Sequence, residues 1–134
     1  MRGRIPGQAA HLELYDRVDI ALDTFPYNGA TTSCEALWMG VPVVSRAGAI
    51  HAARMGLSLL SNLDFVELAA ENSDGFVAIS SGLTGVPDRL RGPARRDARA
   101  RMTAARIADG TGLARAIQES YRVMWRRWCE GRSG

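Results

Sequence analysis

One stretch concentrates the groups that could do chemistry: Asp23-Thr24-Phe25-Pro26-Tyr27-Asn28-Gly29-Ala30-Thr31-Thr32-Ser33-Cys34-Glu35. It reads from the carboxyl end of a strand, through a glycine-containing turn, into the amino end of a helix. Doubly wound folds bind their ligands at such places. The first helical turn has backbone donors with no intrahelical partner, and the helix dipole adds about half a positive charge, so phosphate is the natural guest. Gly29 lets the backbone come close, and the Thr31, Thr32 and Ser33 hydroxyls are in place to donate to phosphate oxygens. A second reading stands beside this one. Thr32-x-x-Glu35 is also a capping box, in which the two side chains satisfy backbone donors and Glu35 is not available to a ribose diol.

Other candidates carry less. His11 precedes the first strand and falls at the same sheet edge as the Thr31-Thr32 turn, where its ring could stack on a base or meet a phosphate; an exposed or structural histidine is the plainer reading. His51 and Arg54 lie one turn apart, toward a ligand or toward solvent. Cys34 has no neighbouring base and reads as a small apolar residue. Asp19 and Asp23 sit four apart in a strand, about 13 Å at ~3.3 Å per residue, too far for joint acid–base work. Trp125-Arg126-Arg127-Trp128 could stack on nucleic acid but reads better as a packing surface. There is no Walker loop, no G-x-G-x-x-G and no G-x-S-x-G elbow.

These residues need elements to position them. Val18 to Phe25 reads as a buried strand, Thr31 to Met39 as a helix ending at Gly40, and Val41 to Ser45 as a second strand. Strand, helix and strand in so few residues make a βαβ unit with a parallel sheet. Beyond it come a helix over Ile50 to Leu60 and a short strand or extended link over Asp64 to Leu68. A helix capped by Asn72 or Ser73 follows, burying Phe76, Val77, Ile79 and Leu83. Pro87 to Ala108 is helical in composition with a break at Gly92-Pro93. The last helix carries Leu113, Ile117, Tyr121, Met124, Trp125 and Trp128 at three- and four-residue steps. The fold class is α/β, with too few strands for a complete doubly wound domain. Residues 1–85 form a partial Rossmann-like region and 86–134 its Arg-rich helical continuation.

Composition sets the limits. Among 134 residues the 17 basic side chains are all arginine, so chemistry that needs a lysine within this chain is excluded. Cut after Gly85, the chain has five arginines against nine acids (−4) and then twelve against five (+7), which together give the net +3. Such a split marks either a basic docking surface or a solvated helical face. Two distant cysteines make neither a disulfide scaffold nor a zinc site. No apolar run reaches the ~18 residues of a membrane span, and the first residues lack a signal-peptide core, so a cytoplasmic location is expected.

The block Val18 to Val44 resembles the nucleotide-sugar half of O-linked N-acetylglucosamine transferases, bacterial relatives in particular. His51-Ala52-Ala53-Arg54-Met55-Gly56-Leu57-Ser58-Leu59-Leu60 and Tyr121 to Trp128 are similar to the same family, so the resemblance runs from about Gly7 to Trp128. It implies a GT-B glycosyltransferase, of which this chain is part of the carboxyl-terminal lobe. It also implies inverting transfer of N-acetylglucosamine from UDP-N-acetylglucosamine to protein Ser or Thr hydroxyls, with no metal or other cofactor required.

Carried onto matching positions, Thr31 and Thr32 bind the diphosphate, Glu35 takes the ribose-binding carboxylate place, and His11 lies against the uridine. Ala30 stands where animal members carry histidine, and Glu35 where they carry aspartate. The resemblance puts the repeats, the amino-terminal catalytic lobe and a diphosphate-contacting lysine upstream of this chain. UDP or UDP-N-acetylglucosamine is the expected partner, and the acceptor protein is met through those upstream regions. Neither a membrane nor nucleic acid is an expected partner. Self-association through an uncovered sheet edge is the remaining possibility. From a different class, the alternative is a non-catalytic module whose Arg95, Arg96, Arg99 and Arg101 dock a protein or nucleic acid.

Overall fold

The structure, a computed structural model, describes residues 7–85 and 93–131. It is α/β, with a three-stranded parallel sheet in the order β1-β2-β3 and helices packed around it. Helix α1 (Gln8–Glu13) runs into a 3₁₀ turn at Leu14–Arg17. Strand β1 (Ala21–Leu22), helix α2 (Thr31–Trp38) and strand β2 (Val43–Arg46) then form the βαβ unit. Its strands pair in parallel, Ala21 with Val43 and Leu22 with Val44.

The apolar run Val18 to Phe25 yields a shorter and wetter strand than expected. Ladder pairing is confined to Ala21 and Leu22, extended only by the bonds from Ala21 N–H to Pro42 O and Asp23 N–H to Val44 O. Leu22 is 59% exposed. A run this apolar suits a parallel strand covered on both faces, and here one apolar face of β1 meets solvent. Gly40 ends the turn after α2 at φ 75°, in the left-handed region, where an added Cβ would also lie 2.6 Å from Arg95.

After β2 the chain makes a 3₁₀ turn at His51–Ala53 and only then enters α3 (Met55–Asn62), so the helix expected from Ile50 starts later. The bond from Gly48 N–H to Ala53 O closes this loop before the helix begins. Asp64 to Leu68 is not a strand. Asp64 sits at φ 56°, Val66–Leu68 is a 3₁₀ turn, and the ladder forms one step later in β3 (Ala69–Ala70), which pairs with Ser45 and Arg46. The turn puts Leu68 into the core, and small alanines let α4 (Ser73–Thr84) pack over β2 and β3.

Asn72 caps α4, its side chain accepting from Gly75 N–H at 2.8 Å. Of the residues expected to be buried by this helix, Ile79 and Leu83 pack on the core and Phe76 is half-buried, but Val77 is 61% exposed because it falls on the outer face. Helix α5 (Pro93–Ala104) packs on α2 and leads through a 3₁₀ turn at Arg106–Ala108 into α6 (Gly110–Gly131). The expected helical composition from Pro87 to Gly92, and the boundary between residues 85 and 86, lie at or outside the limits of the described residues.

Leu37, Val41, Val44, Leu60 and Leu63 are fully buried at the centre, where the interior faces of α2, α3 and the sheet meet. Truncating any of these leucines to alanine costs about 2–5 kcal/mol.

Candidate functional site at the amino end of helix α2

The site is built from the turn between β1 and α2, and a carboxylate holds that turn. Asp23 accepts from Gly29 N–H at 2.7 Å and Thr24 N–H at 3.0 Å through one oxygen, and from the Ser45 hydroxyl at 2.7 Å through the other. Asn28 is buried. Its backbone N–H donates to Ala52 O at 2.9 Å and its amide to Thr24 O at 2.8 Å, while its side-chain oxygen accepts from Gly56 N–H at 3.4 Å. Three segments distant in sequence are thereby fixed to one another. A Cβ on Gly56 would lie 2.0 Å from Ser45 Oγ and 2.6 Å from Asp23 Oδ2, so only glycine fits beneath this network.

Helix α2 opens without a side-chain cap. Ala30 occupies the capping position, and Cys34 N–H takes its carbonyl at 2.9 Å. The capping box read from Thr32 and Glu35 does not form, because the Glu35 carboxylate turns back toward the amino-terminal helix. There it meets His11 Nε2 at 3.1 Å and accepts from the Tyr15 hydroxyl at 3.4 Å, and that hydroxyl also lies 3.3 Å from Thr32 O. The His11 and Tyr15 rings meet edge to face at 5.9 Å. Among the described residues, Thr31 and Thr32 are exposed and no protein group bonds their hydroxyls.

The structure therefore brings His11, Glu35 and the open first turn of α2 together, with Ala30, Thr31 and Thr32 at its mouth. Sequence reasoning missed Tyr15, Asp23 as a turn organiser, and the buried Asn28. The Asp-x-Phe-Pro-Tyr-Asn-Gly order carried a signal for the last two, since Asp and Asn favour turns that bond their own backbone.

Burial foremost, then the Glu35 charge and hydrogen bond, raises the Tyr15 phenol above tyrosine's ordinary value. Burial and then Glu35 likewise raise the Cys34 thiol, which stays protonated and poorly nucleophilic at neutral pH. Asp19 and Asp23 make no catalytic pair, as Asp23 is spent on the turn. His51 and Arg54 are exposed, with Arg54 Nη1 bonding Gly48 O at 3.0 Å.

Three arginines of α5 are used within the fold. Arg95 donates to Val18 O and, at 3.1 Å, to Tyr15 O. Arg99 stacks on Trp38 at 4.7 Å. Arg101 stacks on Phe65 at 4.7 Å and bonds Asp97, Leu63 O and Asp64 O. Of the four arginines in the docking alternative, only Arg96 has no such tie among the described residues. The Trp125 and Trp128 stripe of α6 is exposed. Among the described residues no cluster of His, Cys, Asp or Glu could hold a metal ion, and no helix is long and apolar enough to cross a membrane.

Comparison with known proteins gives the family. Residues 5–109 match the model of glycosyl transferase family 41. The chain belongs to that family. It is 40% identical over 123 residues to the probable UDP-N-acetylglucosamine–peptide N-acetylglucosaminyltransferase SPINDLY of Hordeum vulgare, a match covering 92% of this chain and 13% of that protein. The UDP-N-acetylglucosamine–peptide N-acetylglucosaminyltransferase of Caenorhabditis elegans is 28% identical over 127 residues, covering 95% of this chain and 11% of its own length.

A mutant of the O-GlcNAc transferase of Thermobaculum terrenum superposes with TM-score 0.79 at 37% identity, over 92% of this chain and 24% of that one. The family 41 chain thus spans a small fraction of the length of these relatives. The resemblance read from the Val18 to Val44 block holds, and so does the α/β, GT-B-type architecture it implied.

Proposed function

We propose that this chain is the nucleotide-sugar-binding portion of a transferase that moves N-acetylglucosamine from UDP-N-acetylglucosamine to Ser or Thr hydroxyls of proteins. The observation that carries the reading is the pairing of His11 with Glu35, 24 residues apart, beside an uncapped helix end. In this reading the free donors of the first turn of α2, with the Thr31 and Thr32 hydroxyls, hold the diphosphate. Glu35 accepts from the ribose diol, and His11 lies along the base. Ala30 leaves the backbone accessible at the mouth.

As the glycosidic bond breaks, charge gathers on the departing diphosphate, and fixed donors aimed there stabilise it without proton transfer. The base that deprotonates the acceptor hydroxyl comes from elsewhere in the enzyme, so this portion alone is expected to bind and not to turn over. The relatives' printed names support the donor and acceptor classes.

The test is a titration of the ¹⁵N-labelled chain with UDP, followed at the amides of Thr31 to Glu35, with GDP as the base-specificity control. Saturable shifts confined to that turn and to His11, weakened at least about tenfold in Thr32→Val, are expected. A folded sample whose turn does not respond to UDP refutes the proposal, and a stronger response to GDP refutes the choice of uridine.

A further inference from the structure

We propose that a second cleft, at the carboxyl edge of the sheet and beside the β1–α2 turn, is a subsite for one carboxylate carried by the polypeptide substrate. The cleft holds about 570 Å³ and is lined by Phe25, Arg46, Gly48, Arg54 and Glu71 among others. Ligands of open parallel sheets gather at this edge, and the volume lies within the range of small-ligand sites.

Its charges define the guest. Two guanidinium groups and one carboxylate, Arg46, Arg54 and Glu71, leave one net positive charge among the described residues lining it. That balance suits a single carboxylate better than a dianionic phosphate. Neither arginine has a carboxylate partner among the described residues. Arg46 is held in place, its guanidinium stacked 4.1 Å from the Phe25 ring centre and its Nη1 donating to Ser73 Oγ at 3.0 Å.

Its Nε, on the other edge of the fork, is shielded from solvent and has no hydrogen-bond partner among the described residues. An unsatisfied buried donor is costly, and a carboxylate engaging the Nε edge of a guanidinium removes that cost with bidentate geometry. Arg54, anchored through Gly48 O, reaches the same cleft from the loop before α3.

The assignment of the carboxylate to a polypeptide rests on the transferase reading, whereas the oxyanion chemistry rests on the cleft alone. The test follows the side-chain Nε–H signals of Arg46 and Arg54 in the full chain. The probes are a blocked hexapeptide with one serine and one glutamate, the same peptide with glutamine, and inorganic phosphate, with UDP titrated separately. Saturable shifts with the glutamate peptide, at least about tenfold weaker with glutamine, are expected. Arg46→Met and Arg54→Gln should each abolish them while the amide spectrum of α3 and α4 is retained. Arg54 is exposed, so its variant keeps the test valid even where Arg46→Met unfolds.

Equal response to the glutamine peptide, or tighter binding of phosphate, overturns the subsite. If the glutamate peptide binds here while UDP leaves Thr31 to Glu35 unmoved, the subsite stands and the transferase reading falls. The reverse result overturns the subsite alone.

Discussion

At the scale of single residues, Tyr15 ties the candidate site to the fold. Its hydroxyl bonds Glu35 and its body is buried in the core beside Leu12 and Val18. The folded phenol holds its proton more tightly than the unfolded one, with burial as the first cause and Glu35 as the second. A folded-state value raised above the unfolded one gives stability that is fully present below tyrosine's ordinary 10.0 and is lost as pH rises through the folded value. Urea titrations at a series of alkaline pH values should therefore show the unfolding free energy of the wild type falling more steeply above that point than that of Tyr15→Phe. Parallel curves would remove the phenol as the cause. Glu35, Asp23 and Asn28 divide the work of the turn differently from what their types announce. Glu35 could cap its own helix and instead pairs across 24 positions, while Asp23, whose spacing from Asp19 already excluded joint acid–base work, organises the turn.

At the scale of elements, α5 acts as a clamp. Arg95 reaches back to the carbonyls of Tyr15 and Val18, which join α1 to β1, so the Arg-rich helix fixes the strand that leads into the site. Arg95→Ala should lower stability by about 2–3 kcal/mol, the scale of hydrogen bonds to a charged donor. The exposed neighbour Arg96 should be near neutral when changed to alanine, within ~0.5 kcal/mol. Denaturant midpoints of the two variants measure the difference, and a similar loss at both positions would contradict the clamp.

Element boundaries also show where sequence pattern loses force. A strand's length is set by the partner it pairs with, so the apolar run from Val18 became a two-residue ladder opposite short β2. The short strand or extended link expected at Asp64 to Leu68 gave way to a turn that buries Leu68.

At the scale of the molecule, the chain is a compact α/β part with a long helix lying outside its core. Every residue from Leu113 to Gly131 is exposed, including Tyr121, Trp125 and Trp128. The core described around Leu37, Leu60 and Leu63 contains no α6 residue. Deleting residues from Gly110 onward should therefore leave the denaturant midpoint of the remaining chain nearly unchanged, within ~0.5 kcal/mol. It should also make the protein less prone to self-association, because an apolar stripe of this extent is removed from solvent. Circular dichroism melts and sedimentation of the truncated and full chains test both points. A large loss of midpoint would show that α6 supports the core.

Local pattern was enough to read the βαβ unit, the helix from Thr31 to within one residue of its end, a cap at Asn72 or Ser73 and the stripe of α6. Each depends on neighbours within a few positions or on a periodicity that one element expresses by itself. The family, too, was legible in one long block of residues. What only the tertiary structure decided were choices between competing partners. The carboxylate of Glu35 could cap its own helix or reach His11 and Tyr15. The arginines of α5 could face a partner or clamp carbonyls and aromatic rings. The buried Asn28 could join the loop before α3 to the site turn only once both had been brought together. Hydrogen bonds and burial are decided by proximity in space, and for groups 20 or more positions apart the chain's own order is silent about that proximity until it has folded.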